Sequence, residues 1–181
     1  MFGGSPGSSR FWAKTAEYGA NLGFLGSVAN NKGTTDGAGF TKASIEAGIR
    51  SDIANHSIIG GTSGAVVVVL PTDSTYRDSS GAAECAGCGH HDSFINPDTN
   101  QRVNYATVST STDEKQTMYA LSHEVAEIAT DPDQSGFWAP QVPGSTRNGT
   151  LENGDLCQNM RDTVNGSPSA LTWSQAYCGC L

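Results

Sequence analysis

The chain has 181 residues, 36% of them hydrophobic, which suffices for one sizeable core and is too short for two domains. Its net charge of −8, without any run of basic residues, leaves no electrostatic footprint for nucleic acid. The longest apolar run, Ala65 to Leu70, is far shorter than the roughly 20 residues of a membrane-spanning helix. We therefore expect a single domain over residues 1–181, with a flexible segment at residues 1–10 and no nucleic-acid partner or membrane span.

The first half of the chain predicts two strands and one helix. Residues 11–19 mix aromatic and polar side chains and end at a glycine, which is typical of a strand. After a Thr41 cap, isoleucine recurs every four residues from Ile45 to Ile53, which predicts a helix with a narrow apolar stripe. The β-branched run "GAVVVVLP" at residues 64–71 predicts a strand that is buried on both faces inside a sheet.

The second half predicts a loop, a strand, a helix and a further loop. A polar loop covers residues 72–101, and "RVNYATVST" after it predicts a strand at the edge of the sheet. A capping-box pattern begins at Ser111 and Pro132 ends the segment, so a helix of about seventeen residues is expected from Asp113. From Pro132 to Ala170 the chain is rich in Gly, Pro, Asn and Asp without periodicity, which predicts a long loop.

This order of elements predicts an α/β or α+β fold, and we expect the α+β form, in which a mixed sheet packs against helices and a long disulfide-stapled loop region follows. A similar order precedes the active-site helix of zincin metallopeptidases, so a zincin-like arrangement is expected by analogy. The five cysteines favour an oxidising, extracellular location, and their odd number leaves one thiol outside intramolecular pairs. We expect Cys85 to pair with Cys88, and Cys157 to pair with Cys178 or Cys180.

The predicted second helix carries the pattern H-E-x-x-E within "YALSHEVAEIATDPDQSGFW". At 100° per residue, His123 and Glu127 fall one turn apart on one side, with Cβ atoms about 5 to 6 Å apart, so both side chains can reach one ion. Glu124 lies beside them, where it can deprotonate a water bound to that ion, as the glutamate of H-E-x-x-H does in zinc peptidases. The opposite side is the predicted core-facing stripe, formed by Leu121, Val125, Ile128 and Ala129.

The same pattern also fits charged side chains on the solvent-exposed face of an ordinary amphipathic helix. Against that alternative, four acids and no base lie between Met118 and Arg147, whereas a solvent-facing helix usually pairs its acids with lysine or arginine. Downstream, Asp155, or else Glu152, precedes Cys157, where a disulfide would hold a third ligand over the helix. The metal expected is Zn²⁺, with Ca²⁺ or Mn²⁺ as alternatives, because a carboxylate replaces the second imidazole.

The segment "CAGCGHHD" fits a redox pair, half of a zinc ribbon or a small disulfide loop. Its glycines disfavour the helix that a redox pair needs, and the chain lacks a second C-x-x-C for a zinc ribbon. A disulfide loop that positions His90 and His91 is therefore preferred, with His91 as a metal ligand or a substrate contact.

Taken together, "CAGCGHHDSF", "SHEVAEIATDP", "GFW", "ENGDLC" and "LTWSQAYC" resemble the secreted family that includes the plant phosphate-induced, Exordium-like proteins and their bacterial and fungal relatives. The two residues between Cys85 and Cys88 depart from the three of the family pattern. Asp131 falls where relatives also carry asparagine, so we do not expect it to be a ligand. The resemblance implies a secreted, zincin-like metal-binding domain with shared site positions at His91, His123, Glu124, Glu127, Glu152 and Asp155.

The sequence thus predicts a secreted, metal-dependent hydrolase, and most specifically a zinc metallopeptidase. Glu124 is the expected base, and His91 is expected to steady the oxyanion. The expected partner is a peptide or protein substrate, or a component of the extracellular matrix or cell wall. The alternatives are a non-catalytic extracellular domain in which a metal fixes the loop over residues 132–157, and a disulfide-stapled scaffold without metal.

Overall fold

The computed structural model describes residues 39–55, 57–58, 64–71, 74, 76–77, 88–132, 157, 160–164, 167–171, 173–174 and 179–180. The expected strand at residues 11–19, the flexible segment at residues 1–10 and the cysteines Cys85 and Cys178 lie outside these ranges.

Within the described ranges, two helices and nine strands make a mixed α+β structure. The helices are α1 (Lys42–Ala54) and α2 (Glu114–Thr130). The strands are β1 (Phe40–Thr41), β2 (Ala65–Leu70), β3 (Tyr76–Arg77), β4 (Gly89–Asn96), β5 (Gln101–Ser109), β6 (Arg161–Val164), β7 (Ser167–Ala170), β8 (Trp173–Ser174) and β9 (Gly179–Cys180).

The largest sheet has the strand order β2-β5-β4, with β2 parallel and β4 antiparallel to β5. The prediction of β5 as an edge strand is therefore wrong, because the described strands β2 and β4 pair with its two sides. The polar loop predicted over residues 72–101 is also wrong in part, since β4 occupies residues 89–96. Polar side chains on both faces of β4 hide its period-two pattern. A turn, closed by a hydrogen bond of 2.8 Å from the Asn100 N–H to the Asn96 carbonyl, joins β4 to β5.

Strand β2 forms where the β-branched run predicted it, but it is buried on one face instead of two. Leu70 is buried, whereas Val67 and Val69 on the other face are 37% and 56% exposed. In the described sheet β2 is an edge strand, and α2 packs against β4, β5 and β7. A continuous apolar run therefore does not prove burial on both faces, because β-branched residues also suit a strand that is covered on one side.

Helix α1 begins as the sequence predicts. The Thr41 hydroxyl accepts the Ser44 N–H at 3.2 Å, and the Ser44 hydroxyl oxygen accepts the Thr41 N–H at 2.9 Å, which completes a capping box. The helix lays its isoleucine stripe on one face of the sheet and forms the main apolar core there. The buried members of this core are Ile45, Ile49, Leu70, Tyr76, Val103 and Tyr105.

Helix α2 has the predicted length of 17 residues, but its cap is Asp113 and not Ser111. The Asp113 carboxylate accepts the Lys115 N–H at 2.9 Å, and the Ser111 hydroxyl instead accepts the Asp113 N–H at 3.1 Å. An aspartate at this position also places a negative charge at the positive end of the helix dipole, which serine cannot do.

The C-terminal part contains more regular structure than the predicted long loop. Strands β6 and β7 form an antiparallel hairpin, and β8 pairs with β9. The Ala170 N–H donates to the Ser122 hydroxyl at 2.7 Å, which ties β7 to α2. Neither described helix is long and apolar enough to cross a membrane.

Candidate metal centre

Strand β4 sends two neighbouring histidines to opposite faces of the sheet. His91 pairs with Ala106 of β5 and points toward α2, and its exposure is 3%. His90 pairs with Thr107 and faces the other way, where its ring stacks on Tyr76 with centroids 5.6 Å apart. Because side chains alternate between the two faces of a strand, His91 lies on the α2 face and His90 on the other. The prediction of a loop in this segment could not distinguish the two histidines in this way.

Helix α2 presents its two motif glutamates to this same face. Glu124 is 4% exposed and Glu127 is 3% exposed, so neither lies on a wet surface. They are three positions apart along the helix, which places both carboxylates over one stretch of β4. The interpretation of the motif as the solvent side of an amphipathic helix is therefore wrong.

The predicted core-facing stripe of α2 is correspondingly wrong in part. Ile128 is buried, but Leu121, Val125 and Ala129 are only half-buried, while Ser122, Glu124 and Glu127 are buried. The motif glutamates face β4, where His91 lies across the interface from them. A helical-wheel projection of α2 contains only residues of that helix, so it cannot show His91.

Three side chains converge at this interface between β4 and α2. His91 Nδ1 lies 3.4 Å from Glu124 Oε2 and 3.4 Å from Glu127 Oε2. One donor atom from each of the three residues lies within 4.8 Å of the other two. We call this set of His91, Glu124 and Glu127 the β4/α2 cluster.

The spacing of the β4/α2 cluster fits a bound cation. Ligands about 2.1 Å from a tetrahedral ion are about 3.4 Å from each other, whereas an N–H···O hydrogen bond is typically about 2.9 Å long. Both distances from His91 Nδ1 to the glutamate oxygens equal the 3.4 Å expected between two ligands of one ion. Within the described part of the chain, Glu124 Oε2 is buried and accepts no hydrogen bond. One imidazole and two carboxylates are also a donor set that divalent transition metals accept.

His123 lies beside the β4/α2 cluster and does not belong to it. Its Nε2 is 2.9 Å from Glu127 Oε1, an ion-pair contact whose geometry does not make a hydrogen bond, and its ring lies against Tyr119 with centroids 6.2 Å apart. Its side chain is 14% exposed, which makes it the most accessible of the four motif-related groups.

The pKa values of the two glutamates are shifted in opposite directions. Burial, the largest influence, raises the pKa of Glu124 above its ordinary value, against the opposing effect of His91. Burial acts in the same direction on Glu127, but contacts with His123 and His91 outweigh it and lower the pKa of that carboxyl. Among the described residues, the ion pairs of both glutamates are with histidines only. Two buried carboxylates without a lysine or arginine are costly, and a cation between them removes that cost.

The remaining predicted site residues have separate outcomes. Glu152 and Asp155 lie outside the described residues, so their expected role as ligands stays a prediction. Cys157 is bonded to Cys180, one of the two partners that the sequence left open. Cys88 also takes part in a disulfide. Its expected partner Cys85 lies outside the described residues.

Comparison of the chain with family models, with characterised proteins and with solved structures found no match. The candidate site therefore rests on the residues and distances of this chain.

Proposed function

We propose that this protein is a metal-dependent hydrolase whose single divalent ion is held by the β4/α2 cluster. The observation that carries the proposal is the separation of 3.4 Å between His91 Nδ1 and one oxygen of each buried glutamate. When bound, such an ion acts as a Lewis acid and lowers the pKa of a coordinated water toward neutrality. Three protein ligands leave a fourth tetrahedral position for that water.

Zinc is the proposed metal, with Mn²⁺ as the second choice. Imidazole nitrogen and carboxylate oxygen are both common zinc ligands at about 2.0–2.2 Å. Calcium prefers six to eight oxygen ligands, and His91 offers nitrogen at the centre of the cluster. The ion would also keep Glu124 ionised, which burial alone opposes.

The geometry favours a division of roles that differs from the one expected from the sequence. His123 was expected to bind the ion and Glu124 to act as the base. Since Glu124 belongs to the cluster and His123 does not, we assign Glu124 to metal binding. His123, in contact with Glu127 Oε1, would orient that ligand. As the most exposed of these groups, it would also exchange a proton with the substrate.

A peptide or protein is the proposed substrate, and the outside of the cell is the proposed location. The substrate class and the zincin-like relationship rest on the resemblance of the H-E-x-x-E helix to peptidase motifs. The location is supported by the Cys157–Cys180 bond and by the disulfide at Cys88, since such bonds persist in oxidising compartments.

Elemental analysis and a peptidase assay test the proposal together. The wild-type protein, loaded with Zn²⁺ and desalted, is expected to retain one ion per chain and to cleave a labelled unfolded protein. Glu124→Gln and Glu127→Gln should each lose the ion and the activity. Glu114→Gln, which changes an exposed glutamate of the same helix, is the matched control and should lose neither.

Two outcomes would redirect the proposal. Equal zinc content in the wild-type protein and in both cluster variants would remove the metal site. If Glu124→Gln kept its zinc and lost cleavage, Glu124 would be the base and not a ligand, as the sequence alone suggests.

A non-catalytic metal site is the second candidate, and one observation favours it. All three members of the β4/α2 cluster are buried, as structural metal sites are, whereas a catalytic ion needs access for substrate. This alternative predicts zinc binding and a large loss of melting temperature under chelator, with no cleavage by the wild-type protein.

A further inference from the structure

The backbone of Gly89, in β4, lies directly against the side chain of Glu124. It lies two residues before His91 and therefore on the same face of the strand, opposite Val108 of β5. A Cβ atom placed on Gly89 would come within 2.6 Å of Glu124 Oε1 and 2.8 Å of Glu124 Cδ. It would come closer still to Cγ of the same side chain. Such separations are far below van der Waals contact, so a side chain at position 89 and the observed position of Glu124 exclude each other.

The backbone around Gly89 leaves little freedom to relieve such a clash. The Ser109 N–H donates to the Cys88 carbonyl at 3.0 Å, the β4–β5 ladder continues from Gly89 onward, and Cys88 is disulfide-bonded. Gly89 does not have a positive φ, so alanine is excluded by lack of space and not by backbone conformation.

Glu124 must therefore be the group that moves. The clash involves its Cγ atom, next to the point where the side chain leaves the helix, so a rotation of the carboxylate alone does not remove it. The side chain is buried, and staggered rotamers offer it only a few discrete alternatives. A different rotamer would carry the carboxylate away from His91.

We infer that Gly89 is a positioning residue of the metal centre. The missing side chain at this position lets Glu124 lie across β4 and bring its carboxylate to His91. The inference rests on the proposed function for its consequence in metal binding, but the steric relation between Gly89 and Glu124 exists without any ion.

A double-mutant cycle in chelator tests the steric relation. Gly89→Ala should lower the urea midpoint of unfolding in the wild-type background, and should lower it much less in a Glu124→Ala background, because the clashing atoms are gone. Gly64→Ala is the matched control, since a Cβ there meets nothing within 4 Å. Equal shifts of the midpoint by Gly89→Ala in both backgrounds would overturn the inference. If Gly89→Ala alone does not fold, Gly89→Ala with Glu124→Ala should fold, and failure of that double variant would also overturn it.

Metal binding supplies a readout that a merely structural role would not change. Gly89→Ala should bind Zn²⁺ at least about 10-fold more weakly, as loss of a group that orients a ligand does, and should change the visible spectrum of the Co²⁺-loaded protein. Gly64→Ala should change neither. Unchanged affinity and spectrum in Gly89→Ala would contradict the positioning role. If the cycle shows coupling but the wild-type protein binds no metal, the proposed function fails while the steric role of Gly89 stands.

Discussion

The two faces of the three-stranded sheet bury different kinds of side chain. The face under α1 is an apolar core, in which isoleucines of the helix meet the large side chains Tyr105 and Leu70. The face under α2 carries the smaller Ala106 and buries His91 with two glutamates. Apolar burial stabilises the fold, whereas buried ionisable groups cost free energy unless they are paired.

Both faces of the sheet carry a buried or partly buried acidic side chain, and the two acids differ in their partners. On the α1 face, Asp92 contacts Lys42 directly and lies 3.8 Å from His90 Nε2. Burial acts to raise the pKa of Asp92, but these partners and the Ser93 N–H outweigh it and lower the pKa well below the ordinary value. On the α2 face, burial raises the pKa of Glu124 against the opposing contacts with His91 and His123, and among the described residues its ion pair is with a histidine and not with a lysine or arginine. Asp92 is thus paired with a lysine, whereas Glu124 and Glu127 belong to a group that could hold a metal ion.

The largest effect is expected from the apolar face. Ile49→Ala should lower the free energy of unfolding by about 2–5 kcal/mol, because it leaves a cavity in the core. Urea unfolding in chelator measures the loss, and the folded variant should still bind one zinc ion per chain. Loss of zinc binding with unchanged stability would show that the two faces are not separate in function.

The second effect belongs to the α2 face. Zinc at about 100 times its dissociation constant should add about 2.7 kcal/mol to the free energy of unfolding, because it binds the folded state. Glu127→Gln should abolish this increment, while Glu114→Gln should retain it. The urea midpoint with zinc and with chelator gives the value. An identical increment in Glu127→Gln would place the ion elsewhere in the chain.

A smaller effect is expected from the polar group on the α1 face. Asp92→Asn should lower the free energy of unfolding by about 1 kcal/mol, since it removes a partly buried ion pair whose lysine is about one-third exposed. Zinc affinity should not change, because Asp92 points away from α2. A clear loss of zinc affinity would mean that Asp92 also contributes to the metal centre.

The smallest effect is expected at the uncovered part of β2. Val69→Thr should change the free energy of unfolding by less than about 0.5 kcal/mol, because the side chain is largely exposed. Leu70→Ala, one residue later on the buried face, is the matched comparison and should cost several times more. Equal losses would show that the α2 side of β2 is covered in solution.

Much of the local structure is predictable from the sequence. The Thr41 cap and the isoleucine spacing define α1, and Pro132 limits α2, because caps, prolines and helical periodicity act between residues a few positions apart. The strand β2 follows from its β-branched run for the same reason. Strand β4 is missed because polar side chains, among them histidine, aspartate and serine, occupy both of its faces, so that its sequence has no alternation of polar and apolar residues.

The sequence by itself determined that His123 and Glu127 lie one turn apart on one helix, since a spacing of four residues does so on any helix. Only the tertiary structure decided that Glu124 and Glu127 face inward and that His91, from a distant strand, completes their cluster. The physical reason is the distance along the chain over which each interaction acts. Helix periodicity arises from neighbours along the chain, whereas the rotation of α2 depends on the combined burial of its side chains against β4, β5 and β7.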